Sequence, residues 1–188
     1  IPKAFSVYNL YPFYSWFFHA LGVETILSKD IQQEGIAKSE SAYCHRAEIA
    51  HGAVHELNEM KVDYIFLPHF KDMPSYEEGI HATICPIVQA FPYYIRQAFP
   101  EVDVNKFLAP VITFYTGKKK TLESFTEMGE TMGFSAKEVE DAFEIAYEKQ
   151  REFYLKTQEV GKEALERARK ANHPVIAVLG RPYNALTP

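Results

Sequence analysis

Two cysteines and a histidine, Cys44, Cys85 and His69, are the residues of this 188-residue chain whose types and positions can do chemistry together. The stretch from Ser39 to Gly52 reads SESAYCHRAEIAHG. Its polar opening offers loop and capping chemistry, and from Cys44 onward Ala47, Ile49, Ala50, Ala53, Val54 and Leu57 recur at helical spacing. Cys44 therefore falls in the first turn of a helix running to about Met60. A thiol there feels the positive end of the helix dipole, which favours the thiolate that binds metals and electrophiles. Glu48 and His51 lie four and seven positions on, below Cys44 on roughly one face. Cys85 precedes Pro86, a residue suited to the first helical position, and so reads as an N-cap or its neighbour. The plainer reading of the same residues is a small buried thiol and a satisfied core histidine.

These residues need elements to bring them together. Val62 to Leu67, VDYIFL, reads as a buried strand that stops at Pro68, which puts His69 at a strand's carboxyl end. Ile1 to Val7 and Val23 to Leu27 read as further strands, with an aromatic-rich helix between them from Tyr11 to Leu21 that also offers an exposed aromatic surface for association. Asp30 to Glu34 forms a helical turn. Phe70 to Ala82 reads as a surface loop, Phe107 to Tyr115 as a buried strand that begins in earnest after Pro110, and Lys118 to Met132 as an amphipathic helix. Ser135 and Glu138 form a capping box opening a long helix to about Ala171, with a possible break at Gly161. Pro174 to Leu179 reads as a last strand. Strands alternating with helices point to an α/β fold with a doubly wound, mostly parallel sheet and helices on both faces, Rossmann- or flavodoxin-like, plus a long C-terminal helical segment. Residues 1–172 make up this α/β domain, and 173–188 are a strand and the start of a following module, so the chain reads as part of a longer protein. In such sheets ligands bind beyond the carboxyl ends of strands, so Cys44, His69 and Cys85 are expected at one edge, where soft ligands hold a metal or an iron–sulfur cluster. A fourth ligand would come from His51, Glu48, another domain or a small molecule. His51 and His55 also have the i, i+4 spacing of a zinc pair, but without the glutamate that follows the first histidine in zinc proteases.

The composition narrows the function. A formal net charge of -5 leaves no basic footprint for nucleic acid, and no uninterrupted apolar run reaches membrane length. With two cysteines there is no disulfide framework, and no secretory signal is present, so the expected setting is cytoplasmic. Neither a Walker-type phosphate loop nor a glycine-rich dinucleotide fingerprint occurs. The runs of basic residues such as Arg167 to Lys170 read as a solvated face.

Four ordered segments resemble a domain of unknown function from the acyl-CoA dehydratase activase-related proteins, relatives of the 2-hydroxyglutaryl-CoA dehydratase activators. They are Ile1-Pro2-Lys3-Ala4, Cys44 seven residues before His51-Gly52, Tyr64 to His69 (YIFLPH), and Cys85 to Pro92 (CPIVQAFP). Gly180 to Asn184, GRPYN, resembles the opening of the next module of those long proteins. The resemblance implies a CoA-substrate-specific enzyme activase that couples ATP hydrolysis to low-potential electron delivery to a 2-hydroxyacyl-CoA dehydratase. The ATPase portion lies outside this chain. His45-Arg46 stand where relatives carry Tyr-Pro, and His69 where some carry cysteine.

Three functions follow as expectations. The first is an iron–sulfur domain for electron transfer, with Cys44, Cys85 and His69 as ligands and His51 as a further metal ligand, and with no complete active site alone. The second is a module that binds acyl-CoA, another anion or a partner domain, with His45, Arg46 and His69 on a phosphate or carboxylate. The third is a spacer whose cysteines are core. The partners in view are other domains of the parent protein and the dehydratase component, with no nucleic acid and no membrane. A hydrolase with Cys44 or Cys85 as nucleophile lacks a nameable orienting residue or oxyanion motif.

Overall fold

The aromatic-rich segment near the N-terminus forms the spine of the molecule. In the computed structural model, which describes residues 1–39, 44–73, 82–115 and 117–185, α1 runs Val7–Ala20 and buries Leu10, Phe13, Tyr14, Phe17 and Phe18. The aromatic surface expected to be exposed is thus the centre of the core. The helix packs against α7, Ala136–Lys170, with α6, Lys118–Thr131, beside it. Edge-to-face pairs knit these helices together, with ring centroids 5.4 Å apart for Phe13–Phe125, 5.2 Å for Phe13–Phe143 and 4.9 Å for Phe17–Phe125. Burying each such ring is worth about 1.5–3 kcal/mol, and each pair adds about 0.5–1.5 kcal/mol.

Pro12 lies inside α1, where it takes a donor from the helix ladder. The Gln150 side-chain amide of α7 compensates close by. Its Nε2 donates to the Asn9 carbonyl at 2.8 Å, and its Oε1 accepts from the Phe13 N–H at 3.0 Å. Those are the two groups an undisturbed helix would join to each other. α7 opens on the expected capping box, with Ser135 and Glu138 bonded reciprocally, and passes through Gly161 without a break. Beyond residue 150 its side chains are mostly solvent-exposed, the Arg167 to Lys170 run among them.

The strand pattern is sparser than the sequence implies, and no doubly wound sheet is present among the described residues. Two parallel pairs, β1 (Ile65–Phe66) with β5 (Phe107–Leu108) and β2 (His69–Phe70) with β6 (Val111–Ile112), lie end to end. Backbone bonds from Leu67 to Leu108 at 2.7 Å, His69 to Pro110 at 2.9 Å and Lys71 to Ile112 at 3.0 Å carry the pairing through, so prolines 68 and 110 divide one parallel ribbon into short strands. His69 begins β2 rather than ending a strand. β3 (Asp72–Met73) pairs antiparallel with β4 (Ala82–Thr83), inside the region read as a surface loop. The crossover between the ribbon's strands carries α4 (Pro86–Gln89) and α5 (Phe91–Ala98).

Three expected strands form no ladder. Phe5 takes a positive φ of 46° and Val7 donates to Ala4, so the start is a turn leading directly into α1. Val23 to Leu27 is irregular, tied where the Val23 N–H donates to the Phe18 carbonyl at 2.9 Å and where the Ile1 amine donates to the Ile26 carbonyl at 2.6 Å. Pro174 to Leu179 is irregular and solvent-facing, with Ile176 86% and Leu179 95% exposed. Its apolar composition reads as a buried strand, but no described strand offers it a neighbour. The chain then returns through α8, Pro182–Ala185, where Tyr183 packs edge-on to Phe5 at 5.6 Å.

A helical turn, α2, forms over Gln33–Ala37 and packs on α3, His45–Glu59. Two glycines permit the contact. A Cβ on Gly52 would meet the Gln32 carbonyl at 2.9 Å, and one on Gly35 would meet the His51 carbonyl at 2.7 Å. The His51-Gly52 pair therefore has a packing reason: the glycine lets α2 close on the helix that carries Cys44.

Candidate functional site

Cys44 is the N-cap of α3 and Cys85 the N-cap of α4, and both are free, half-buried thiols. The sequence placed both within a residue of these positions. Cys44 follows residues 40–43, which lie outside the described set together with most of the loop read over 70–82. Neither sulfur caps its helix in the usual way. The two thiols nonetheless share a neighbourhood. Burial pushes the Tyr94 hydroxyl pKa well above its ordinary value and keeps it protonated, and the charges of Cys44 and of Cys85 both add to that rise. Tyr183 feels both thiols as well.

Burial pushes the Cys85 thiol up. The Ile87 N–H, the Arg181 guanidinium and the Val88 N–H outweigh that effect as donors to the sulfur and leave it below its ordinary value. Arg181 also donates to the Tyr183 hydroxyl at 3.1 Å, and the Arg46 Nε donates to the Asn184 side chain at 3.0 Å. Residues 181–184 thus connect to both cysteine-bearing helix starts. Arg181, Tyr183 and Tyr94 were not picked out as site residues from the sequence; GRPYN stood out only as a motif, and Tyr94 lies nine residues after Cys85 with nothing local to mark it.

His51 is buried. Its Nδ1 donates to the Ala47 carbonyl at 2.7 Å, and its ring stacks on Tyr94 at 5.3 Å. Burial holds its pKa below the ordinary histidine range, against the opposing pull of Ala47 and Glu48, so the neutral ring is favoured. Glu48 pairs with His45 at 3.3 Å. His69 points its Nδ1 to the Gln89 carbonyl at 3.1 Å and lies 4.7 Å from the Tyr93 ring. Burial lowers its pKa too, with Arg96 and Lys71 adding to the effect. Between α3 and the α4–α5 crossover opens a cleft of about 530 Å³, lined by Lys38, Ala47, His51, Ile87, Tyr94 and Gln97 among others. Among the described residues, no three His, Cys, Asp or Glu side chains gather closely enough to hold a metal ion.

Comparison with known families turns on the whole sequence: the family described as a CoA enzyme activase uncharacterised domain matches residues 1–188. The chain belongs to that family. No curated protein and no solved structure matches it. Membership gives the domain an activase-related role. In this activase domain the strongest chemical concentration is the pair of thiols at the starts of α3 and α4, with Arg181 on that of Cys85. No helix among the described residues is long and apolar enough to cross a membrane.

For a thiolate-bound group the donor chemistry fits, since two cysteines on separate elements act on one tyrosine hydroxyl. The donor set is a partial one, because a cluster takes four ligands and no three His, Cys, Asp or Glu side chains gather among the described residues. The remaining donors would have to come from outside the described residues.

Proposed function

We propose that this domain serves a CoA enzyme activase as its non-ATPase electron-relay part, with the thiolates of Cys44 and Cys85 holding an iron–sulfur cluster whose remaining ligands come from outside the described residues. The observation that supports it is the convergence of the two thiols on Tyr94 and Tyr183. Such a cluster supplies one-electron transfer at low potential. At Cys85 the domain's own residues favour the thiolate: Arg181 with the Ile87 and Val88 amides acts on the sulfur. The recipient in this reading is a 2-hydroxyacyl-CoA dehydratase component, and the other domains of the parent protein are its immediate partners. The setting we propose is cytoplasmic. Anaerobic reconstitution with iron and sulfide, followed by electron paramagnetic resonance of the reduced protein, tests it. A cluster signal in the wild type that Cys85→Ala abolishes is the expected result, and its absence from reconstituted wild type would overturn the assignment.

A second reading has its own support. The cleft is of ligand size and has Lys38 at its rim, and Arg46 and Arg181 lie by the cysteines, an arrangement suited to the phosphate or carboxylate of an acyl-CoA, or to an acidic docking segment. This reading predicts that CoA or an acyl-CoA raises the thermal midpoint of the metal-free domain in proportion to the logarithm of its concentration.

A further inference from the structure

Every position from Pro174 to Leu179, PVIAVL, is apolar, and every one is exposed. A run without alternation is the pattern of a strand covered on both faces, yet no described strand pairs with it. It follows an arm. Gln150 is the last buried residue of α7, and the helix from Arg151 to Lys170, at about 1.5 Å per residue, reaches about 30 Å beyond it. The run is tethered by this arm before it and by Tyr183, packed on Phe5, after it.

A groove elsewhere on the molecule matches the run. A cleft of about 380 Å³ opens between Val23 to Ile26 on one side and Val62 to Tyr64 on the other, with Phe18 and Phe66 among its apolar lining. Its walls carry unused backbone. The N–H groups of Glu24, Thr25, Ile26 and Leu27 donate to no backbone carbonyl among the described residues. β1, which continues the second wall, is paired there along one edge only. Free backbone beside an apolar cleft is a template for an added strand. The charges match as well, since Arg169 and Lys170 end α7 just before the run, and Glu24 and Asp63 stand exposed at the groove.

We propose that Pro174 to Leu179 of one copy of this chain lies as a strand in the groove of a second copy, along the free edge of β1, and that the exchange is mutual, giving a twofold dimer. The added strand runs parallel to β1, as β5 does, because that direction sets Arg169 and Lys170 beside Asp63, which precedes β1. The proposal is independent of the thiolate reading.

Sedimentation velocity of the 188-residue chain across micromolar concentrations tests it. Wild type is expected to form a reversible dimer. Ile176→Asp changes a side chain that is exposed in the single chain, so it should leave the melting temperature of the monomer unchanged while weakening dimerisation about tenfold or more, the cost of carrying a carboxylate into an apolar groove. Asp63→Lys should weaken the dimer about twofold to fivefold, and adding Lys170→Glu to that variant should restore it. Wild type that stays monomeric throughout overturns the proposal and leaves the run to a partner of different sequence. A dimer that keeps its full affinity in Ile176→Asp overturns it too, as does one indifferent to Asp63→Lys.

Discussion

Where α1 meets α7, the Gln150 amide serves both the Asn9 carbonyl and the Phe13 N–H, and the Tyr14 hydroxyl finds Ser6. On α3 and α5 the pattern reverses. His55 Nδ1, the Tyr94 hydroxyl and Arg96 Nε are buried without partners, and all three belong to α3 or α5. One end of the molecule is a closed aromatic core in which each inward polar group named here has an answer. The other, built on the helices α3 and α5, keeps three polar groups unanswered. Unpaired buried donors cost about 1–3 kcal/mol each, so they mark where packing has not been the governing demand.

Perturbing each end separately tests the contrast. Phe17→Ala, in the closed core, should cost about 3–5 kcal/mol in urea unfolding and leave the alkylation rates of the folded protein's cysteines unchanged, because Phe17 touches the aromatic cluster alone among the features described. Gly52→Ala stands between the two ends. It should cost about 1–3 kcal/mol, since its new methyl meets the Gln32 backbone, and it should also disturb the cleft by displacing α2 from α3. Arg181→Gln should leave the unfolding midpoint nearly unchanged, for the residue is exposed, yet slow the alkylation of Cys85 at neutral pH several-fold as the thiol loses its cationic donor. Equal Cys85 reactivity in Arg181→Gln and wild type would break the link between the 181–184 segment and the site.

The smallest effect is on the pH dependence. Burial holds His51 and His69 below the ordinary histidine value in the folded state. The unfolded chain therefore binds protons more readily at these two positions. Their stabilising contribution is full above the ordinary histidine pKa of about 6.5 and is lost as pH falls through the folded values. Urea midpoints should decline from pH 7 toward pH 5, and His51→Gln should flatten that decline.

Local chemistry was legible in the sequence wherever it is local in space. The Ser135 capping box, the long helix it opens and the starts of the helices at Cys44 and Cys85 follow from spacing and capping rules; the structure has them, with Cys44 at the N-cap rather than in the first turn and α7 continuous where the sequence left a break at Gly161 open. The sheet was overread because apolarity reports burial or association and not pairing. VDYIFL and FLAPVITFY do pair, but prolines 68 and 110 cut them short, while PVIAVL joins no ladder and lies in solvent. The aromatics from Tyr11 to Phe18 were taken for a surface because a helix with apolar residues on several sides shows no single buried face; with both α7 and the Phe66 strand against it, most of those sides are covered. At the site, Tyr94 and Arg181 escaped notice because their meaning arises only when α5 and the segment after Gly180 come to the two thiols, a relation no spacing rule encodes.

The account stands on Cys44 and Cys85 acting as one site. Iron and acid-labile sulfide should be measured on protein prepared without oxygen, in wild type and in the single Cys44→Ala and Cys85→Ala variants. The account predicts stoichiometric iron and sulfide in wild type and loss of both from each variant. Wild type that stays free of iron after reconstitution, or a variant that keeps its full complement, would contradict it.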